Sequence, residues 1–221
     1  MKRKLVIFGT GEFALLVKYY FDTDSNYEVV AFALDDEFIQ SQSTFEGIQI
    51  YGFSNIETIF PPAEFDMFVA IGYSKMNQNR QKKYAEAKAK GYKLASFVSS
   101  LSHNLSQYPV GENCCFFEHS SIQPFAKVGN NVIVWGYCGI GHHSVVEDHN
   151  FIAAYVLIGG HAIIKSNCFL GNRSTINPSV VVAEKTLVGA GAIIAKNTEA
   201  ESVYVAPKSV KMPVKSSRLD L

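Results

Sequence analysis

The sequence predicts a small α/β domain followed by a parallel β-helix, and three observations carry that reading. Short apolar runs alternate with helical patterns over the first hundred residues. An apolar residue then recurs at every sixth position without interruption, and a Ser-, Asn- and Gln-rich stretch, Ser99–Tyr108, lies between the two regimes. The α/β unit is placed at 1–100, the solenoid at 108–196 and a tail at 197–221.

In the first unit, Leu5–Gly9 reads as a strand and Glu12–Phe21 as a helix, with Phe13, Leu16, Val17 and Tyr20 at helical spacing. Glu28–Leu34, rich in β-branched and aromatic residues, is a second strand, and Ile48–Tyr51 a third. Asn55–Phe60 is a short helix stopped by Pro61 and Pro62. Asp66–Gly72 reads as a buried strand, Asn77–Lys90 as a charged helix ended by Gly91, and Lys93–Val98 closes the series. This rhythm implies a small parallel sheet covered by helices.

The second unit follows a period of six. From Val110 through Phe116, Ile122, Val128, Val134 and Ile140 to Ile194, fifteen consecutive positions are apolar. At 48% hydrophobic composition the chance of such a run is on the order of 10⁻⁵. Gly often follows the apolar residue, and a small residue often stands two before it, as at Cys114, Ser120, Ala126, Cys138, Ser144 and Cys168. Six residues form one short strand and one corner, three strands close a coil of 18, and residue i lies under residue i+18. Cys114, Cys138 and Cys168 therefore read as packing thiols, and Cys115 as structural too.

Composition bounds the rest. Hydrophobic content of 48% suffices for a core and excludes wholesale disorder. Twenty basic residues balance twenty acidic ones, so no overall field collects nucleic acid or anionic membrane. Leu5–Phe8 is too short for a signal peptide or a span. Four cysteines are too few for a disulfide scaffold. The expectation is a cytoplasmic protein with no membrane span and no nucleic-acid partner.

Histidine is the informative residue. His119, His143, His149 and His161 share one hexad position, a corner, and His142 sits just before it. The 18-residue step stacks His142 on Gly160 and His143 on His161. An imidazole above a glycine amide suits acyl transfer, with histidine taking a proton from an attacking amine or hydroxyl and the N–H holding the oxyanion. His119 and His149 read as polar turn residues, whereas His142 and His143, in Gly-His-His-Ser after an intact rung, read as catalytic.

Gly9-Thr10-Gly11-Glu12-Phe13-Ala14 follows a strand and opens a helix, a place where phosphate or sugar can approach the backbone. Asp35, 21 residues after Ala14 and beside Asp36, suits a dinucleotide fingerprint. About a hundred residues is roughly half of a full dinucleotide domain, and a nucleotide-linked sugar fits that size better.

These features together resemble the bacterial sugar acyltransferases that include sialic-acid O-acetyltransferases and N-acetyltransferases of nucleotide-linked 4-amino-sugars. The resemblance covers essentially the whole chain and implies a Rossmann-like first domain, a left-handed β-helix and a homotrimer. Ala31-Phe32-Ala33-Leu34-Asp35-Asp36 resembles the family's GFLDD segment, and Ala70-Ile71-Gly72 through Arg80 its IG…R segment near the nucleotide-sugar. Gly141-His142 matches the catalytic motif, and Gly160 falls where a backbone amide meets the acetyl carbonyl. Four positions depart from the family: His143 replaces a carboxylate, Trp135 an Asn, Phe151 a second His, and Phe13 the His of the GxGGHG loop.

The resemblance implies an acetyl-CoA-dependent N-acetyltransferase for a nucleotide-linked amino-sugar, without an acyl-enzyme. His142 and His143 are the catalytic residues. Gly160, His161 and Lys196 meet acetyl-CoA, the co-substrate. Gly9, Gly11, Glu12, Phe13, Asp35, Asp36, Gly72 and Tyr73 meet the sugar nucleotide. No metal is expected, because the three-histidine spacing of γ-carbonic-anhydrase-type solenoids, with two ligands five apart, is absent. The alternatives are O-acetylation of a sialic-acid-type sugar, a non-catalytic nucleotide-sugar-binding protein, and an NAD-binding enzyme.

Overall fold

A computed structural model describes residues 2–39 and 43–218. The first unit contains β1 (Arg3–Phe8), α1 (Glu12–Thr23), β2 (Tyr27–Leu34), β3 (Thr44–Phe45), β4 (Ile48–Gly52), α2 (Ile56–Ile59), β5 (Phe65–Val69) and α3 (Gln78–Ala89). Its sheet runs β3-β4-β2-β1-β5, parallel except for the β3–β4 pair. The apolar stripe of α1 buries Ala14, Val17 and Phe21, the last against Phe68 of β5. β5, the last strand in that order, is buried along its whole length, with Met67 bridged to Leu94 on its outer side. It ends at Val69, three residues before the expected Gly72, and 70–77 runs on as a loop. β3 is absent from the sequence expectation, because its only signal is the Glu46-Gly47 turn, where both residues have positive φ.

From Phe97 onward the chain winds into a solenoid of two-residue strands in three parallel sheets. Its register is 18 residues, as in Val128↔Val146, Val134↔Ile152 and Ile140↔Ile158. From Phe116 to Ile194 every sixth-position residue is buried and belongs to one core; each such side chain contributes about 1.5–3 kcal/mol of burial. Cys114, Cys138 and Cys168 lie in that core, and Cys115 in the core shared with the first unit. Burial pushes the Cys114 and Cys168 thiols up to about 12 and Cys138 to about 11, so these groups stay protonated at neutral pH.

The corners have a conformational rule of their own. From Asn113 to Lys185, every sixth residue is left-handed, with φ between 54° and 66°. Only glycine enters this region freely, and asparagine tolerates it; here Phe125, Tyr137, Tyr155 and four histidines adopt it too. Their amides are tied to the coil below, as in His143 N–H to Pro124 O (3.2 Å) and His161 N–H to His142 O (2.9 Å).

The solenoid extends past both expected ends. Phe97–Val98 and His103–Asn104 pair with Cys115–Phe116 and Ser121–Ile122, so the stretch expected to be a linker carries the first coil. Lys93–Val98 is correspondingly split: Leu94 bridges to Met67 of the first sheet, while Phe97 and Val98 belong to the solenoid. At the other end, Val203–Tyr204 adds a strand to Leu187–Val188.

The three corners are used differently. Asn113, Asn131, His149 and Asn167 form a polar ladder that docks the first unit. Asn113 Oδ1 accepts from Val69 N–H (2.7 Å), Asn113 Nδ2 donates to Asn131 Oδ1 (2.8 Å), and Asn131 Nδ2 meets His149 Nδ1 (2.9 Å). His119, Tyr137, Tyr155 and Arg173 form an outward stack, with Tyr137 and Tyr155 parallel at 4.9 Å. Phe125, His143 and His161 stack along the third corner.

Candidate active site

The third corner gathers the histidines. His142 Nδ1 and His143 Nδ1 are 3.1 Å apart, within hydrogen-bond reach. His143 lies flat on His161, with ring centres 4.8 Å apart and planes 12° from parallel, and His142 meets His161 edge-on at 5.1 Å. The backbone N–H of His142 donates to Gln123 Oε1 at 2.9 Å. Partial desolvation, and then the neighbouring His161 and His142, hold the His143 imidazole below its ordinary pKa, which favours a neutral ring in this cluster.

Gly160 lies under the His142 ring. A Cβ at this position would come within 2.7 Å of His142 Nε2 and 2.8 Å of Cε1, so the imidazole occupies the space that a side chain would need. No acceptor among the described residues engages the Gly160 N–H. Nε2 and an uncommitted amide are thus neighbours, the pair of groups that proton removal and oxyanion binding call for. Gly160→Ala is expected to push the ring aside. Its signature is a fall in kcat of about 10²-fold with an unchanged thermal midpoint, measured by steady-state kinetics and calorimetry. Lys196 is exposed and stands two 18-residue steps beyond Gly160, about 10 Å along the solenoid.

The N-terminal residues divide into three groups. Gly9 is a structural necessity: its φ is +119°, and a Cβ would lie 2.9 Å from Ala70 O. Gly11 caps α1 without a side-chain hydrogen bond and has open space around it, and Glu12 is exposed beside it. Phe13 is turned away into packing, edge-on to Phe117 of the solenoid at 6.4 Å. Asp36 is also engaged internally, accepting from Ser54 N–H at 3.3 Å. Asp35 borders a cleft of about 280 Å³ lined by Phe8, Leu34, Phe38, Ile71, Asn79, Lys82 and Lys83.

Lys83, in a helix whose sequence reads only as charged, is the informative cleft residue. Its ammonium pairs with Asp35 (2.5 Å) and Glu86 while lying over the rings of Phe8 (4.7 Å) and Phe53 (4.5 Å). Two carboxylates and two π faces hold this buried ammonium in place, so its charge is met within the protein. Tyr73 borders a second cleft of about 340 Å³, against Phe151 (4.9 Å) and Phe169 (5.0 Å), with Trp135, Ala153, Ala154 and Asn172. The Trp135 and Phe151 departures thus build an aromatic wall between the two units.

Arg80, expected near a nucleotide-sugar, is instead completely buried between the units. Its guanidinium donates to Gly72 O (2.6 Å), Asn77 Oδ1 (3.0 Å), Asn131 Oδ1 (3.1 Å) and O (3.3 Å), His149 O (3.2 Å) and Asn150 O (3.1 Å). Gly72 therefore serves this clamp through its carbonyl. Burial lowers the Arg80 pKa to about 9, which still leaves it charged at pH 7.

A solenoid of hexapeptide repeats with a histidine–glycine pair at one corner defines the class of hexapeptide acyltransferases. Residues 125–160 match the model of the bacterial transferase hexapeptide (six repeats), and residues 4–87 match the PglD N-terminal domain. The chain thus carries a PglD N-terminal domain on a hexapeptide solenoid. No curated protein matches it.

The fold is shared with solved structures that include the following three. The acetyltransferase domain of PglB from Neisseria gonorrhoeae in complex with acetyl coenzyme A is 19% identical, with 93% of this chain and 97% of that one covered at a TM-score of 0.81. PerB from Caulobacter crescentus in complex with CoA and GDP-perosamine is 19% identical over 92% and 94%, TM-score 0.80. WeeI from Acinetobacter baumannii is 20% identical over 93% and 97%, TM-score 0.75. Among the described residues no helix is long and apolar enough to cross a membrane.

Proposed function

We propose that this protein transfers the acetyl group of acetyl-CoA to the amino group of a nucleotide-linked amino-sugar. The observation that carries this reading is the His142 ring seated on Gly160, whose amide is uncommitted. In the tautomer that suits a base, His142 Nδ1–H donates to His143 Nδ1, which leaves the Nε2 lone pair free to accept a proton. The amine nitrogen attacks the thioester carbonyl carbon as His142 Nε2 takes its proton, and the Gly160 N–H receives the developing oxyanion. The C–S bond then breaks, and the proton passes from the imidazolium to the CoA sulfur. The protonated, buried cysteines take no part, so no acyl-enzyme forms.

Acetyl-CoA lies along the third corner, with Gly160 and His161 at the thioester and Lys196 farther along. The sugar nucleotide enters at the Gly11–Glu12 turn and the Asp35–Lys83 cleft, where the exposed Lys82 faces phosphate and Asp35 the nucleoside. PerB, whose structure holds CoA together with GDP-perosamine, supports this pairing of substrates. Within one chain the first unit docks on the asparagine corner, whereas His142 stands on another. A trimer in which one copy's N-terminal unit serves its neighbour's histidines satisfies both positions.

The test is a screen of GDP-, UDP- and dTDP-linked sugars, amino and hydroxyl forms alike, for thermal stabilisation and for acetyl-CoA-dependent release of free thiol. The expected result is stabilisation and thiol release with an amino form. Release with hydroxyl forms only would replace N-acetylation by O-acetylation, and stabilisation without release would mark a binding protein.

A further inference from the structure

We propose that His142, His143 and His161 form a binding site for a divalent transition-metal ion of the zinc or copper type, and that the bound ion switches the corner off. One nitrogen from each ring lies within 4.8 Å of the other two. Nδ1 of His142 and Nδ1 of His143 are 3.1 Å apart. Two imidazole nitrogens on a tetrahedral zinc, each at about 2.0–2.1 Å, stand roughly 3.3 Å from one another. That pair is therefore near the required edge length, and the third ring closes on it by a modest rotation.

The three rings are borne by a stiff scaffold. His143 and His161 occupy left-handed corners whose amides are tied to Pro124 O and His142 O, and His143 is sandwiched between Phe125 (4.6 Å) and His161 (4.8 Å). All three are exposed, so an ion enters without opening the fold and keeps a coordination position for water. Neutral imidazole donors select zinc, copper or nickel over magnesium, calcium or manganese. The ligands sit at sequence positions i, i+1 and i+19, a set that the 18-residue coil assembles and that a five-residue histidine spacing does not contain.

An ion bound at His142 Nδ1 leaves the ring's one proton on Nε2, which then cannot accept another. Occupancy therefore removes the base and stops transfer; this consequence rests on the reading of His142 as base, whereas binding itself does not. The ion is an inhibitory ligand, and the transfer requires none.

The experiment uses the full chain freed of metal by chelation. It is titrated with Zn²⁺ by calorimetry and with Co²⁺ by visible absorption, beside His143→Gln, His161→Gln and the control His119→Gln. The expected result is one ion per chain, with affinity weakened about tenfold or more in each of the first two variants and unchanged in the control. Failure of the wild-type chain to bind at a tenfold excess of Zn²⁺, or equal binding by the first two variants and wild type, would overturn the site. Thiol release measured over the same Zn²⁺ range and after EDTA tests the switch separately. Loss and recovery that track binding support the switch. Binding with undiminished release overturns the switch and the assignment of His142 as base, and leaves the metal site standing.

Discussion

His142→Asn is expected to lower kcat by about 10²–10⁴-fold, the usual contribution of a positioned general base, while KM for acetyl-CoA changes little. Asn keeps a polar amide near the Nδ1 position but has no atom at Nε2 over Gly160 to accept a proton. The ring is exposed and makes no core contact, so the variant should unfold at the wild-type temperature. The diagnostic readout is therefore a loss confined to kcat in steady-state kinetics. A parallel loss of acetyl-CoA affinity would instead assign His142 to binding, and an undiminished kcat would remove it from the chemistry. His143→Gln should cost less than His142→Asn, because it disturbs the partner at 3.1 Å and leaves Nε2 of His142 in place.

Arg80→Ala is expected to be the most destabilising single change in the chain. The guanidinium is completely buried, and its removal strands oxygen acceptors from Gly72, Asn77, Asn131, His149 and Asn150 in the interface between the two units. Each buried acceptor left unsatisfied costs about 1–3 kcal/mol, so the loss is a large fraction of the stability of an ordinary domain. Denaturant titration should show the midpoint falling accordingly. Arg80→Lys should recover only part of the loss, since an ammonium cannot reproduce the planar fork. A loss below about 1 kcal/mol in Arg80→Ala, the scale of one ordinary hydrogen bond, would mean that the clamp is dispensable.

The solenoid is legible in the sequence because its period is imposed by geometry: each rung must be apolar, and Val110 to Ile194 shows this without a gap. Its two ends are hidden for distinct reasons. Val98 and Asn104 are in step with Val110, but Asn104 is a polar rung that breaks the apolar run before Val98 is reached. Tyr204 pairs with Val188, 16 residues back instead of 18, so the last strand lies out of register with the ladder. In the first unit, β1, α1, β2 and β4 are legible from apolar patterning, which tertiary packing supports there.

The corner chemistry is legible where it depends on the 18-residue step alone. His142 over Gly160 and His143 over His161 both follow from that arithmetic, whereas the lateral approach of His142 to His143 depends on side-chain rotamers. Roles that depend on contacts between residues distant in sequence are opaque. Phe13 occupies a ligand-loop position but packs on Phe117. Arg80 sits in a segment with a ligand-binding look and serves the interface. Lys83, in a charged helix, becomes a cleft residue only when Phe8 and Phe53 arrive beneath it. The left-handed conformation of thirteen successive corner residues, Asn113 to Lys185, has only a partial signal in residue type: three Asn and four His tolerate it, whereas Phe, Tyr, Arg, Ser and Lys at the other six do not favour it.

The central claim is that the His142–Gly160 corner moves an acetyl group from CoA to a sugar amine. Its most direct test is to incubate the chain with acetyl-CoA and the amino-sugar nucleotide that stabilises it, and to identify the product by mass spectrometry and NMR. The account predicts one acetyl group in amide linkage on the sugar nitrogen, formed by the wild-type chain and suppressed in His142→Asn. An acetyl group on a hydroxyl, or equal product from His142→Asn, would contradict it.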